Sequence, residues 1–314
     1  MSSTVLKLFT FSVTAHEEQS CRTTPKSAIR VMRSVAVAAV AAVALPLLGA
    51  SQLMAQGTLG SAAQSFGILG ASTVTNTGSS VVNGNLGLYS GTSITGFPPG
   101  IVVAPGTIHQ TDAVAQQAQS DATAAYNSLK ALAPTRTLTG QDLGNVSSVA
   151  APLTPGVYFF SSSAELTGNL FLDFTGSAPH SKFVFQIGSA LTTASNSHVV
   201  VSGGNSGSEI YWLTEGSGGS ATLGDNSIFQ GNLISNISIS LDGGASIACG
   251  RAIALTGAVT MINNTVTNNC GEADFGSLGF SGGSSSTVPE PSSMALLGTG
   301  LVGLVPMLRR RRTS

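Results

Sequence analysis

Charge is scarce in this sequence. Ionisable Asp, Glu, Lys and Arg make up 9% of the 314 residues, against roughly 25% in an ordinary soluble domain. Lys, Glu and Arg are among the good helix formers, so their scarcity argues against an all-helical fold. The formal net charge of −1 argues against a nucleic-acid binder, which needs a basic surface. Intrinsic disorder wants high charge with low hydrophobicity, and here hydrophobic residues reach 42%. Aromatic residues stop at 6%, with a single Trp, and three cysteines are too few for a dense disulfide scaffold. What fills the space is Gly (38 residues) together with Ser, Thr and Asn. That composition reads as a mainly β protein.

The few charges are unevenly placed. Lys7, Arg22, Lys26, Arg30 and Arg33 crowd the first 33 positions, and Arg309, Arg310, Arg311 and Arg312 close the chain. Residues 57–288 keep Lys130, Arg136, Lys182 and Arg251 against eleven acidic residues, a formal charge of −7. Basic ends around an acidic body suggest targeting segments on an exported domain.

Arg30 and Arg33 precede an Ala/Val-rich run from Ser34 to Ala50. A charged n-region, an apolar h-region and small residues near Ala50 or Ala55 form the pattern of a signal peptide. Met32 makes a better start than Met1, which would leave Cys21 outside the mature protein. At the other end, Pro289-Glu290-Pro291 leads into an apolar span from Ser292 to Leu308 and then the four arginines. That order resembles the PEP-CTERM sorting signal, which implies exosortase as a processing partner; a plain C-terminal membrane anchor is the alternative. Both readings place the body outside the cytoplasm, secreted or cell-surface anchored. Residues 276–287 (GSLGFSGGSSST) read as a Gly/Ser linker between body and anchor.

The body, residues 56–275, repeats itself. Ser80-Val-Val-Asn-Gly-Asn-Leu86 matches Ser227-Ile-Phe-Gln-Gly-Asn-Leu233 and Ser246-Ile-Ala-Cys-Gly-Arg-Ala252, with Leu166-Thr-Gly-Asn-Leu170 read as a fourth copy. Short apolar pieces at a near-constant period, joined by turn formers, predict the coils of an irregular β-solenoid (β-helix). A sandwich of short strands is the competing architecture. In a solenoid, alternation puts apolar side chains inside and Ser/Thr outside, with an internal ladder such as Val199, Ile228, Ile247 and Val266. From Thr111 to Ala133 the period changes. Val114, Ala118, Ala122, Ala125, Leu129 and Leu132 form one helical stripe, with Thr111 or Asp112 as cap and Pro134 beyond the end. This predicts one long α-helix packed alongside. Cys249 and Cys270 lie about one coil apart and either bridge neighbouring coils or remain two buried thiols.

No arrangement for catalysis emerges. His109, His180 and His198 stand apart from Cys, Asp or Glu at metal-ligand spacing, and His16 falls in the presequence. Asp173, Asp225 and Asp242 occur singly on turns, whereas carbohydrate-active solenoids need clustered carboxylates. No metal or cofactor is expected, and the chain is not expected to be an enzyme. What the surface offers is regular hydroxyls and methyls on a stiff scaffold, as in Thr73-Val-Thr-Asn-Thr77, Thr92-Ser-Ile-Thr95 and Ser238-Ile-Ser240. Thr suits an ordered face, because its β-branch stiffens χ1 and shows both OH and CH₃.

At this point a resemblance becomes specific. Leu59-Gly-Ser-Ala-Ala-Gln-Ser-Phe-Gly-Ile-Leu-Gly70, Val82-Asn-Gly-Asn-Leu-Gly87, Ile94-Thr-Gly-Phe-Pro-Pro-Gly100, Leu153-Thr-Pro-Gly-Val-Tyr158, Phe183-Val-Phe-Gln-Ile-Gly188 and Gly250-Arg-Ala-Ile-Ala254 resemble the microbial ice-binding (antifreeze) protein family. The resemblance implies a discontinuous right-handed β-solenoid with a helix alongside, adsorbing to an ice crystal surface through one flat face, without cofactor or turnover. The family's Thr-Ala/Gly-x-Thr/Asn pattern is matched by Thr193-Ala-Ser-Asn196 and decays at Leu223-Gly-Asp-Asn226 and Asp242-Gly-Gly-Ala245. The candidate ice contacts are Thr73, Thr75, Thr77, Ser79, Thr192, Thr193, Asn196, Thr222, Asn226, Ser240 and Thr260. A monomer is expected. The alternative function is a surface or biofilm-matrix protein binding exopolysaccharide with the same face, for which exposed Tyr211 or Trp212 would speak.

Overall fold

The computed structural model describes residues 58–204 and 207–269. The signal-peptide pattern, Cys270, the Gly/Ser linker and the sorting segment lie outside the described residues. Among the described residues no helix is long and apolar enough to cross a membrane.

Short parallel strands stack into three ribbons, so each coil of the chain has three sides. The first side, here the hydroxyl face, runs in spatial order Ala164–Leu166, Leu191–Thr193, Ala221–Leu223, Ile239–Leu241, Val259–Ile262, Thr73–Thr77 and Ser93–Thr95. The second, the mixed face, is built by Asn169–Asp173, His198–Ser202, the first halves of Ile228–Ser235 and Ser246–Ala254, then Thr265–Thr267, Val81–Asn83 and Ile101–Val103. The third, the helix face, holds Gly156–Phe160, Lys182–Ile187, Glu209–Thr214, the second halves of those two long strands, Phe66–Gly70, Asn85–Leu88 and Ile108–Gln110. Within each coil the order is helix face, hydroxyl face, mixed face.

Spatial order departs from chain order at one place. Phe66–Gly70 pairs with Ser246–Ala254, Thr73–Thr77 with Val259–Ile262, and Val81–Asn83 with Thr265–Thr267. The N-terminal coils therefore continue the stack beyond the C-terminal coil. The chain must then return to the far end, and α-helix Ala113–Lys130 makes that journey. Its 18 residues span about 27 Å at 1.5 Å each. Seven strands at ~4.8 Å spacing stand about 29 Å high, so the helix matches the stack.

The sequence repeats mark one corner. Gly84, Gly231 and Gly250 all have φ in the positive region, at the bend from mixed face to helix face. A Cβ on Gly231 would meet Ile210 Cγ2 at 2.6 Å, and one on Gly250 would meet the Gly231 carbonyl still closer, so coil stacking forbids a side chain there. Gly168 does not belong to this set. It lies between Ala164–Leu166 and Asn169–Asp173, at the bend from hydroxyl face to mixed face. The Leu166–Leu170 segment is therefore a different corner and not a fourth copy.

Inside, residues in register stack on themselves. Phe185 and Trp212 lie 3.9 Å apart at 7°, with Tyr158 5.2 Å from Phe185. The mixed-face ladder runs Leu170, Val199, Phe229, Ile247, Val266 and Val82, all buried. Ile228 is not in it. Its partner is Ser246, and it points to solvent. A register shift between Phe229 and Gln230 adds one residue to the next coil, which displaces any constant 19-residue count by one position.

The helix buries Ala118, Ala122, Ala125, Tyr126 and Leu129 against Val184, Tyr211, Leu213, Ile234 and Ile253. Alanine lets it approach closely. Val114 and Leu132, expected on the same stripe, are 43% and 38% exposed; Ala115, Gln119 and Tyr126 take the buried positions instead. Asp112 caps the start by accepting from Ala115 N–H at 2.8 Å. At the other end Gln186 Nε2 donates to the carbonyls of Leu129 and Leu132, both at 2.9 Å, which satisfies groups a helix terminus leaves open.

Candidate functional site

Three-residue strands leave one outward side chain between two inward ones. On the hydroxyl face the inward flanks are Ala164, Leu166, Leu191, Leu223, Ile239, Leu241, Val259 and Met261, all buried. The outward residues fall into one column, because every pairing is in register: Glu165, Thr192, Thr222, Ser240, Thr260, Thr75 and Thr95. Five threonines and a serine thus stand side by side at ~4.8 Å intervals. Thr260 Oγ1 donates to Ser240 Oγ at 3.1 Å within the column.

Flanking positions are also small. On the side toward the helix face, Ala190, Ser220, Ser238 and Ala258 follow one another, their carbonyls accepting from an N–H of the preceding coil's strand at 2.9–3.0 Å. Thr73 stands in register with Ser93. On the other side Thr77 pairs with the exposed Ile262. The outcome is a surface of hydroxyls and methyls whose only bulky charged member in the central column is Glu165, in its outermost strand.

The other two faces differ. Helix Ala113–Lys130 covers the helix face. The mixed face shows His198, Ile228 and Val200, the last two at least 38% exposed, so its side chains vary in size and polarity from coil to coil.

The expected contact residues divide accordingly. Thr73, Thr75, Thr77, Thr192, Thr222, Ser240 and Thr260 belong to the hydroxyl-face strands and point outward. Thr193 does not. It is 2% exposed, sits in register between Leu166 and Leu223, and its hydroxyl accepts from Gly224 N–H at 2.9 Å. Asn196 and Asn226 stand at the bend toward the mixed face, with φ of 59° and 54°. Asn263 and Gly244 take the same left-handed conformation in neighbouring coils, so these asparagines are there because Asn tolerates φ > 0. Ser79 lies in that bend as well, its N–H donating to Asn263 Oδ1 at 2.9 Å. Asp225 occupies the same turn, and Asp242 follows the inward Leu241 at the border of the face.

Two residues of the column were not among the expected contacts, Thr95 and Glu165. The Ser93-Ile94-Thr95 alternation carries a signal for the first; the second is a lone charge that only register reveals.

Tyr211 and Trp212 are fully buried. Burial, with Glu209 nearby, pushes the Tyr211 phenol far up. Neither ring offers a sugar-stacking platform.

A hydroxyl–imidazole–carboxylate chain does exist. Thr107 Oγ1 lies 2.8 Å from His109 Nε2, and His109 Nδ1 lies 2.7 Å from Asp112 Oδ2. Its place explains it: Asp112 is the helix cap, and Thr107 also contacts Asn85 Oδ1 at 3.3 Å. Burial pushes Asp112 up, but donation from Ala115 N–H and from His109 outweighs this and holds its pKa below the usual 3.8. Among the described residues no group of His, Cys, Asp or Glu is placed to hold a metal ion. Cys249, at the Gly-marked corner, is disulfide-bonded.

Comparison with known proteins bears on this face. Residues 68–267 match the family described as Ice-binding-like, and residues 287–312 match the PEP-CTERM protein-sorting motif. The chain is 50% identical over 250 residues to an ice-binding protein of Nostoc sp. (strain HG1), covering 79% of this chain and 86% of that one. It is 31% identical over 232 residues to ice-binding protein 1 of Shewanella frigidimarina (strain NCIMB 400), covering 64% of this chain and 25% of that one. Among solved structures, an ice binding protein from an Antarctic biological consortium matches with TM-score 0.59 at 40% identity, covering 69% of this chain and 93% of that one. The ice-binding protein of the Antarctic ascomycete Antarctomyces psychrotrophicus matches with TM-score 0.60 at 37% identity, covering 67% and 97%.

Proposed function

Because this chain belongs to the Ice-binding-like family, we propose that it adsorbs to ice through the hydroxyl face, centred on Thr192, Thr222, Ser240, Thr260, Thr75 and Thr95. The observation that carries the assignment is the register of that column across six consecutive strands. Side chains of one size at one spacing form a plane, and a rigid plane presents ice with many weak contacts at once.

Each part of the chemistry follows from that plane. The γ-methyl groups and the hydroxyls together hold water in fixed positions, and β-branching means little side-chain entropy is lost on contact. No charge interrupts the column between Thr192 and Thr95. A charged group there would bind its own hydration shell instead of sharing an ordered one. Adsorption consumes nothing and turns nothing over, so the action is a block to crystal growth, seen as thermal hysteresis or inhibition of recrystallisation.

The PEP-CTERM motif at residues 287–312 places the protein outside the cell, secreted or at its surface, and implies recognition by an exosortase. The body acts as a monomer, since one face of one chain suffices.

The test is thermal hysteresis of the purified protein at increasing concentration. A freezing point that falls below the melting point, with faceted crystals, is the expected result. A folded protein with no gap and unaltered recrystallisation would overturn the proposal.

A further inference from the structure

We propose that the groove between helix Ala113–Lys130 and the bend leading from the helix face to the hydroxyl face is a second binding site, and that it takes an uncharged sugar unit. The site is separate from the hydroxyl face and does not rest on the ice reading.

The groove is open to solvent and has a volume of about 630 Å³, within the roughly 300–1,000 Å³ common for small-molecule clefts. Its helix wall is polar. Gln116, Ser120, Thr123 and Asn127 line it, and their spacing puts them on one side of the helix. The opposite wall is Tyr89, which follows strand Asn85–Leu88 and is half-buried, its N–H donating to the Gly70 carbonyl at 3.1 Å. Ala71 and Leu255, each the residue after a helix-face strand, complete the lining. Gln119 is the buried polar residue of the groove, only 8% exposed. Its Nε2 donates to the carbonyls of Gly70 at 3.0 Å and Ala254 at 3.1 Å. Two carbonyls can be met only by the NH₂ end, so the amide has one orientation. Its Oε1 is then left as an acceptor with no hydrogen-bond partner in the protein. Docking of the helix explains the nitrogen and leaves the oxygen unexplained, because a buried acceptor is costly to leave unmet.

These groups select a ligand class. An apolar ligand would leave the Gln119 oxygen unmet. None of the described residues lining the groove is charged, so a phosphate, carboxylate or ammonium group would enter without a counter-charge. Sugar hydroxyls both donate and accept, as do the Ser120 and Thr123 hydroxyls and the Gln116 and Asn127 amides. A sugar ring also has a flat C–H face, which suits the flat ring of Tyr89. An uncharged saccharide therefore meets every part of the lining: its ring on Tyr89, one hydroxyl toward Gln119 Oε1, and the others along the helix.

The experiment titrates the purified protein with maltotetraose, cellotetraose, sucrose and trehalose, and with tetragalacturonate as the acidic control, followed by saturation-transfer NMR. The expected result is saturable binding of at least one neutral saccharide and none of tetragalacturonate. Tighter binding of a tetrasaccharide than of the disaccharides identifies a glycan chain as the source of the sugar unit; equal binding identifies a free sugar. Tyr89→Ala, which removes the ring, and Ala124→Trp, which fills the groove from the helix, should each weaken binding about tenfold, the scale of losing an aromatic anchor. Ser120→Trp replaces Ala124→Trp should that variant misfold. No saturable binding of any neutral saccharide, equal binding of tetragalacturonate, or binding unchanged in the folded variants would overturn the proposal. Hysteresis is read on the same samples. Tyr89→Ala should keep it, because Tyr89 lies off the hydroxyl face, so failure of the ice reading and failure of this one are distinguishable.

Discussion

The Thr260 hydroxyl donates to the Ser240 hydroxyl of the preceding coil across 3.1 Å, and this contact summarises how the surface is made. Two residues 20 positions apart in sequence stand as neighbours, because the parallel register of the core beneath them is exact to the residue. Leu241 on Met261 and Ile239 on Val259 fix where Ser240 and Thr260 point.

Bulk on the column spoils the plane without disturbing the core. Thr222→Tyr is expected to lose most ice activity. Its melting temperature should stay near wild type, since surface substitutions of this kind usually change stability by within about 0.5 kcal/mol. Thermal hysteresis and a circular-dichroism melt check both halves.

Removing the lone charge should extend the plane. Glu165 is in register with Thr192, and Glu165→Thr adds a further strand to the uncharged column. Hysteresis at equal concentration is expected to rise; an unchanged or lower value would show that the outermost strand does not reach the ice.

Asn196 serves the turn and not the face. Asn196→Gly is expected to keep both stability and hysteresis, while Asn196→Ala, which keeps the β-carbon at φ 59° but loses the short polar side chain that offsets its cost, destabilises by up to about 1 kcal/mol. Urea denaturation of the pair distinguishes backbone geometry from a lost side-chain contact with ice.

These residues show how far sequence reasoning carries. Gly84, Gly231 and Gly250 announced the stacked corners, because close packing leaves no other residue there. The helix was legible from its change of period, though its buried stripe was misplaced by one residue at Val114. The sides of Thr193 and of Ile228 are not legible in the sequence, the first because its strand is short and the second because of a register shift. A three-residue strand has too few alternations to fix its phase, and the extra residue at the bulge beside Gln230 shifts the count. Register comes from the neighbouring coil, and no single strand's sequence contains it.

The junction of the two chain ends depends on one buried cation. Arg251 is fully buried; its guanidinium donates to the Gln64 carbonyl and, at 2.6 Å, to Asn232 Oδ1. Arg251→Ala removes those buried charge-assisted hydrogen bonds and opens a void, at an expected cost of about 3 kcal/mol. Chemical denaturation should show it, with the N-terminal coils losing amide-exchange protection first.

Helix docking should respond to pH at both extremes. The folded-state pKa of Asp112 is depressed, so its stabilisation is present above 3.8 and disappears as pH falls through the folded value. Asp112→Asn, which keeps a capping side chain, should remove that acid-side slope. Tyr126 donates to the Thr214 carbonyl at 3.2 Å, and burial followed by the Glu215 charge pushes its pKa up to about 12. The unfolded state then ionises first, so stability should fall as pH rises above 10.0. Melting temperatures of wild type, Asp112→Asn and Tyr126→Phe across the pH range separate the two limbs.

The most direct test compares equal bulk on two faces. Thr222→Tyr on the hydroxyl face and Thr265→Tyr on the mixed face are each frozen slowly with a growing ice crystal, and the fraction of protein taken into the ice is measured against wild type. The account predicts that Thr265→Tyr partitions into ice like wild type and Thr222→Tyr stays in the liquid. Retention of ice partitioning by Thr222→Tyr, with loss in Thr265→Tyr, would contradict it.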